Sequence, residues 1–140
     1  MSAHHMKSRR LTWALVCLIF FIWGVNTIAD TTHLYYLLWW FDIPMHMLGG
    51  LWVGLTALVI YYHTGWIKRK DRSLSFVVAF TLATTMVIGL LWEVFEFSVE
   101  HFVKLNDNGL LDTLKDLVDD LVGASIAALV FIKKGYNKII

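Results

Sequence analysis

Four apolar runs, at residues 11–28, 43–63, 74–102 and 112–132, fill most of the chain of 140 residues. Each is about as long as the roughly 20 apolar residues that a helix needs to cross the hydrocarbon core of a bilayer. A soluble domain could not bury this much apolar surface: 58% of the residues are hydrophobic, 16% are charged and the mean hydropathy is +0.62. Inside a bilayer every backbone N–H and C=O must be bonded within its own segment or a closed barrel, so runs of this length read as α-helices. The expectation is an all-α polytopic membrane protein with a single domain, a four-transmembrane-helix bundle.

Basic residues set the expected orientation, because Lys and Arg near helix ends stay on the cytoplasmic side. Lys7, Arg9 and Arg10 precede the first run; Lys68, Arg69, Lys70 and Arg72 join the second to the third; Lys133, Lys134 and Lys138 follow the fourth. Both termini are therefore expected inside, in a multi-pass protein of a bacterial-type cytoplasmic (inner) membrane. Only Lys104 and Lys115 fall on the outer side, against ten of the eleven acids. A surplus of acids at one depth of a small protein calls for bound cations or protons, with solvated loop charges making up part of it. The basic residues flank membrane helices and form no nucleic-acid patch, so the expected partners are membrane lipid and a second copy of the chain, with no nucleic acid. The first run has no small-x-small cleavage site after it and is kept as a helix. The one cysteine, Cys17, lies in mid-span and is read as packing.

Along the chain, His33 to Phe41 reads HLYYLLWWF, an aromatic stretch suited to the headgroup level. Asp42-Ile43-Pro44 opens the second helix, with Asp42 just before it and the proline in its first turn. His46 follows one turn later, and Gly50 and Gly54 form a small-xxx-small pair that lets helices approach closely. Ser73 or Ser75 is the expected cap of the third helix, and Asp112 that of the fourth. Asn106 to Gly109 is a turn signal.

The acids carry the strongest functional signal. Glu93, Glu96 and Glu100 are spaced three and four apart, as are Asp112, Asp116 and Asp119. On two helices joined by a short link, these become facing acidic ladders. Counting about 1.5 Å per residue from the cytoplasmic ends puts His46 about 25 Å up, Glu93 about 28 Å, Asp116 about 24 Å and Asp119 about 20 Å. All lie in the outer half. Carboxylates with one His and no Cys are a hard ligand set, suited to a divalent metal ion such as Mg²⁺, Mn²⁺, Ca²⁺ or, with His46, Zn²⁺ or Fe²⁺. The expected metal ligands are Asp42, His46, Glu93, Glu96, Asp116 and Asp119, and the expected catalytic residues are Glu93 and Glu96, one of them a non-ligating general base.

The segments FDIPMHMLGGLW, GLLWEVFEF and DTLKDLVDDLVGA resemble the D-x3-H-x2-GG, E-x2-E and DT-x2-D-x2-D-x2-GA elements of YjdF-type small bacterial membrane proteins and, more remotely, of the VanZ-like family. The resemblance covers Asp42 to Ala128. It implies a helical inner-membrane protein with Asp42, His46, Glu93, Glu96, Asp112, Asp116 and Asp119 or Asp120 at the motif positions, and it implies no activity. Three functions compete. The leading one is metal-dependent hydrolysis of a lipid or envelope-linked phosphoester. The others are a proton or divalent-cation transport subunit and a non-catalytic scaffold or partner protein. Transport needs polar groups down to the cytoplasmic side, where the sequence offers chiefly Thr56, Thr81, Thr84, Thr85 and Ser125.

Overall fold

The computed structural model describes residues 3–63, 70–103 and 109–138, with side chains for 9–63, 70–99 and 109–138. The side chains of Lys7 and Glu100, the basic residues Lys68, Arg69 and Lys104, and residues 106–108 of the expected turn lie outside those described. The chain forms α1 (Ala3–Thr31), a short α2 (Leu34–Leu37), α3 (Asp42–His63), α4 (Leu74–Val103), α5 (Gly109–Lys133) and a closing 3₁₀ turn (Tyr136–Lys138), with no strand among the described residues. Among the described residues, three stretches are long and apolar enough to cross a membrane: Arg9–Thr31, Asp42–His63 and Leu74–Val99. The expected fourth span, α5, stands apart because Asp112, Lys115, Asp116, Asp119 and Asp120 occupy its first half.

Helix ends follow from local chemistry. Ser73 caps α4, its Oγ accepting the Phe76 N–H at 3.3 Å. Asp71 in turn accepts the Ser73 N–H at 2.8 Å, and this bond with the Ser73 hydroxyl holds the Asp71 carboxyl below its ordinary value. Two expected boundaries move. α3 begins at Asp42 itself, and α5 begins at Gly109, which has φ +80°, so Asp112 lies inside the first turn and is not the cap.

The helices do not form a symmetric bundle of four. α3, α4 and α5 pack around a shared core, with α3 closest to α5, while α1 lies mainly against α3. α1 is attached by Leu11 and Leu15, buried beside Leu55 and Leu58, and by the Trp52 indole N–H, which donates to the Leu15 carbonyl at 3.0 Å. At the basic end, Tyr62, Phe131 and Tyr136 form a chain of ring contacts, and Tyr61 lies against Phe76 and Phe80. The Tyr62 hydroxyl donates to the Asp71 carbonyl, and the Asn137 amide donates to that of Arg72 at 3.2 Å, so the C-terminal turn is tied to the start of α4.

Missing side chains make the α3–α5 contact. A Cβ on Gly50 would collide with the Asp120 carbonyl, and one on Gly123 with the Met47 carbonyl. Gly54 meets Thr81 of α4 and Ala127 of α5, the Cβ-to-atom distances being 2.7 and 3.0 Å. The backbones therefore touch, as the Gly50–Gly54 spacing leads one to expect. Gly50→Ala should destabilise the protein by about 1–3 kcal/mol. Gly24→Ala, where nothing lies within 4 Å, should not. Thermal unfolding of the two variants in detergent checks this, and equal stability would mean that α3 and α5 are not in backbone contact.

Candidate metal centre

His46 is the hub of the polar cluster. It stands one turn into α3, and its ring reaches carboxylates on two helices: Nε2 is 3.4 Å from Asp42 Oδ1 and 3.8 Å from Asp116 Oδ1, and Nδ1 is 3.5 Å from Asp120 Oδ1. Glu93 and Glu96 approach from α4, each with an oxygen within 4.8 Å of a His46 nitrogen and of the other. Asp42, His46 and Asp116 form a second group within the same 4.8 Å, so the two groups share His46.

Asp120 is held in a socket of glycines. A Cβ on Gly49 would lie 3.9 Å from its Oδ1, and one on Gly89 would lie 2.7 Å from its Oδ2. The close approach of three helices thus leaves room for one buried carboxylate, whose Oδ1 is turned to the imidazole. Asp116, 3% exposed, sits one turn away on the same face of α5.

Lys115 supplies the nearby positive charge. Its Nζ donates to Asp42 Oδ2 at 2.8 Å and to Asp116, and lies 3.6 Å from Asp112 Oδ1. One lysine cannot balance the cluster. Two shielded carboxylate oxygens, Glu93 Oε1 and Asp119 Oδ2, find no hydrogen-bond partner among the described residues.

Tyr35 of α2 lies near the cluster. Its hydroxyl donates to Asn26 Oδ1 at 2.6 Å, and Asn26 donates to Asp30 at 3.1 Å. Burial, with the charges of Asp30, Asp42 and Glu96, pushes the Tyr35 phenol up to about 12, so it remains a donor across the physiological range.

Of the residues expected from the sequence, Asp42, His46, Glu93, Glu96 and Asp116 come together around one imidazole. Asp119 does not join either group, and Asp120 takes its place beside His46. The reason is helical phase. α5 turns Asp116, Asp120, Gly123, Ala124 and Ala127 into the bundle, and Asp119 lies off that stripe. Counting back from the small residues at 127, 124 and 123 would have selected 120 and 116. Lys115, read only as an outer cation, is a structural member of the site.

The arrangement defines an all-helical integral membrane protein with a buried carboxylate and histidine cluster at one end of its helix core. The chain belongs to the family described as predicted membrane protein (DUF2238), whose model matches residues 2–135. That match includes every element in which the YjdF-type likeness was read; the VanZ-like likeness finds no support in it. No curated protein and no solved structure matches the chain.

The ion pairs at Lys115 are testable by a double-mutant cycle. Lys115→Met leaves Asp42 and Asp116 without their donor and should cost about 1–3 kcal/mol. In the Asp116→Asn background the same change should cost less, with a coupling energy of about 0.5–3 kcal/mol. Additive losses in thermal unfolding would show that the Lys115–Asp116 pair contributes nothing.

Proposed function

We propose that this protein is a membrane metalloprotein whose cluster holds a divalent cation and activates water against a phosphoester of a lipid or envelope-linked substrate. The observation that carries this reading is the placement of His46. Both of its ring nitrogens face carboxylate oxygens, Asp42 and Asp116 on Nε2 and Asp120 on Nδ1. A neutral imidazole has one N–H to donate. If Nδ1–H donates to Asp120, the lone pair on Nε2 points at other lone pairs, and that contact is repulsive unless a cation stands between them. A metal-binding His commonly has its second nitrogen on a carboxylate in this way, which fixes its tautomer. A doubly protonated ring is the competing solution, and metal analysis separates the two.

His46, Asp42, Asp116 and Glu96 are the proposed ligands, and the ion would supply an activated water. Glu93 is the proposed general base, since its Oε1 has no hydrogen bond to give up. Water oxygen would bond to phosphorus as the phosphorus–oxygen bond to the leaving group breaks. Glu93 would take the water proton and return it to the leaving oxygen.

In this reading α5 is the fourth span, both termini are cytoplasmic, and the cluster faces outward in the outer half of an inner membrane. The charge asymmetry supports it, since the described Lys and Arg residues lie at the end opposite to the cluster, apart from Lys115. The packing below also argues against transport through one copy. Leu55, Leu58, Tyr62, Val77 and Phe131 are buried together and close the inner half. Thr81, buried beneath the cluster, donates its hydroxyl back to the Val77 carbonyl at 2.7 Å.

The test is metal content and thermal unfolding of purified wild type, His46→Ala and Asp116→Asn, with and without chelator. Near-stoichiometric metal should be found in wild type alone, and at a hundredfold excess over Kd it should add about 2.7 kcal/mol of stability. Metal-free wild type that chelator does not destabilise would overturn the proposal, and a metal-dependent phosphoester turnover lost in Glu93→Gln would extend it to catalysis.

A further inference from the structure

The face of α4 that leads up to Glu93 is hollowed. Leu90, Glu93, Val94 and Phe97 of α4, with Gly109, Leu110 and Thr113 of α5, line a shallow, open groove of about 370 Å³. Nearer the bilayer centre, Ala83, Thr84, Val87 and Ile88 line a second hollow of about 290 Å³. Ala83, Val87, Leu90, Val94 and Phe97 recur at intervals of four, three, four and three, so they form one stripe that runs through both hollows.

The length of this track is informative. From Ala83 to Glu93 the helix rises about 15 Å, which is half of the roughly 30 Å hydrocarbon core and so the depth of one leaflet. The stripe lies within the apolar stretch Leu74–Val99, so what it meets is the hydrocarbon of the bilayer. At its upper end it reaches the polar cluster through a single residue, because Glu93 both lines the groove and belongs to the group formed with His46 and Glu96. A chain in this track would carry a polar head to that carboxylate and to the neighbouring histidine.

We propose that the α4 stripe binds one acyl chain of an outer-leaflet phospholipid and presents its phosphate to the His46–Glu93–Glu96 end of the cluster. This inference rests on the metal-site reading for its chemistry, and it names the substrate class of that site: a membrane phospholipid taken from the side, and not a water-soluble phosphoester. The neutral apolar walls match the tail, and the proposed cation beside Glu93 and Glu96 matches the phosphate.

Ordinary lipid contact gives a clear contrast. Val94 and Leu91 lie within one turn of each other, about 4.5 Å apart in rise, and are almost equally exposed, 62% and 60%, but Leu91 lines neither hollow. Lipid that merely surrounds the protein would touch the two alike. The experiment uses the unmodified full chain in nanodiscs of phosphatidylethanolamine and phosphatidylglycerol, doped with a phosphatidylethanolamine that bears a photoreactive diazirine in one acyl chain. After illumination, labelled residues are mapped by peptide mass spectrometry, and metal content is measured on the same preparation. Labelling at Ala83, Val87, Leu90 and Val94 should exceed that at Leu91 by roughly tenfold, the preference expected of about 1.4 kcal/mol of specific binding. Equal labelling of Val94 and Leu91 overturns the acyl-chain track, whatever the metal content. A retained Val94 preference in metal-free protein supports the track and removes the metal reading alone.

Discussion

Backbone contact between α3 and α5 decides where the polar groups of this protein can sit. Gly50 and Gly123 face opposing carbonyls, so the two helices meet with no side chain between them. That contact brings α5 close enough for Asp116 and Asp120 to reach a histidine on α3. Gly89 of α4 then completes the junction by leaving space for the Asp120 carboxylate. A larger residue at any of these glycines would move a helix by several tenths of an ångström or more, and carboxylates placed 3.4–3.8 Å from the ring would lose their geometry first. Packing and site are therefore one construction.

The same closeness has an electrostatic cost. Asp42, Asp116 and Asp120 surround one imidazole, with Glu93 and Glu96 beside it and Lys115 as the nearby fixed cation. Removing charges from water is expensive unless each finds a partner, and carboxylates this close raise one another's need for positive charge. Lys115 offsets the outer pair, Asp42 and Asp116. It does not reach Glu93, whose buried Oε1 lacks a hydrogen bond among the described residues. A native structure that tolerates such a group has a reason for it, and an ion, a proton or a substrate head group each supply one.

Much of this was legible in the chain. Run length and composition were enough for the helices, because a bilayer permits few other solutions. The convergence of Asp42, His46, Glu93, Glu96 and Asp116 followed from helical rise counted along apolar segments, a measure that does not depend on how the helices are arranged. Rotation around the helix axis was harder. Asp119 and Asp120 differ by about 100° of helical phase, and the acidic spacing alone favoured the former, whereas the glycine and alanine stripe at 123, 124 and 127 points to the latter. The arrangement of the helices was also out of reach: nothing in the apolar runs says that α1 leans mainly on α3 while α4 and α5 share the core. That depends on which faces carry glycine, and α1 has only Gly24, which no neighbouring helix approaches.

The direction from which the cluster can be reached follows from these contacts. Below it, Leu58, Tyr62, Val77 and Phe131 are fully buried, and a water-filled route through them would have to displace well-packed side chains in a densely packed interior. The polar groups above and beside it are differently placed: Lys115 and Asp112 are more than a third exposed by side chain, and Glu93 opens onto the hollow between α4 and α5. A site closed towards the basic end of the helices and open at the other end and towards the α4–α5 hollow suits the proposed amphiphile, whose tail can stay in the bilayer while its head meets the carboxylates. It does not suit a conduit, which needs two mouths. What favours the proposed reaction over transport is the largely aromatic and aliphatic floor beneath the acidic residues, in which the buried Thr81 and Thr85 are the polar members.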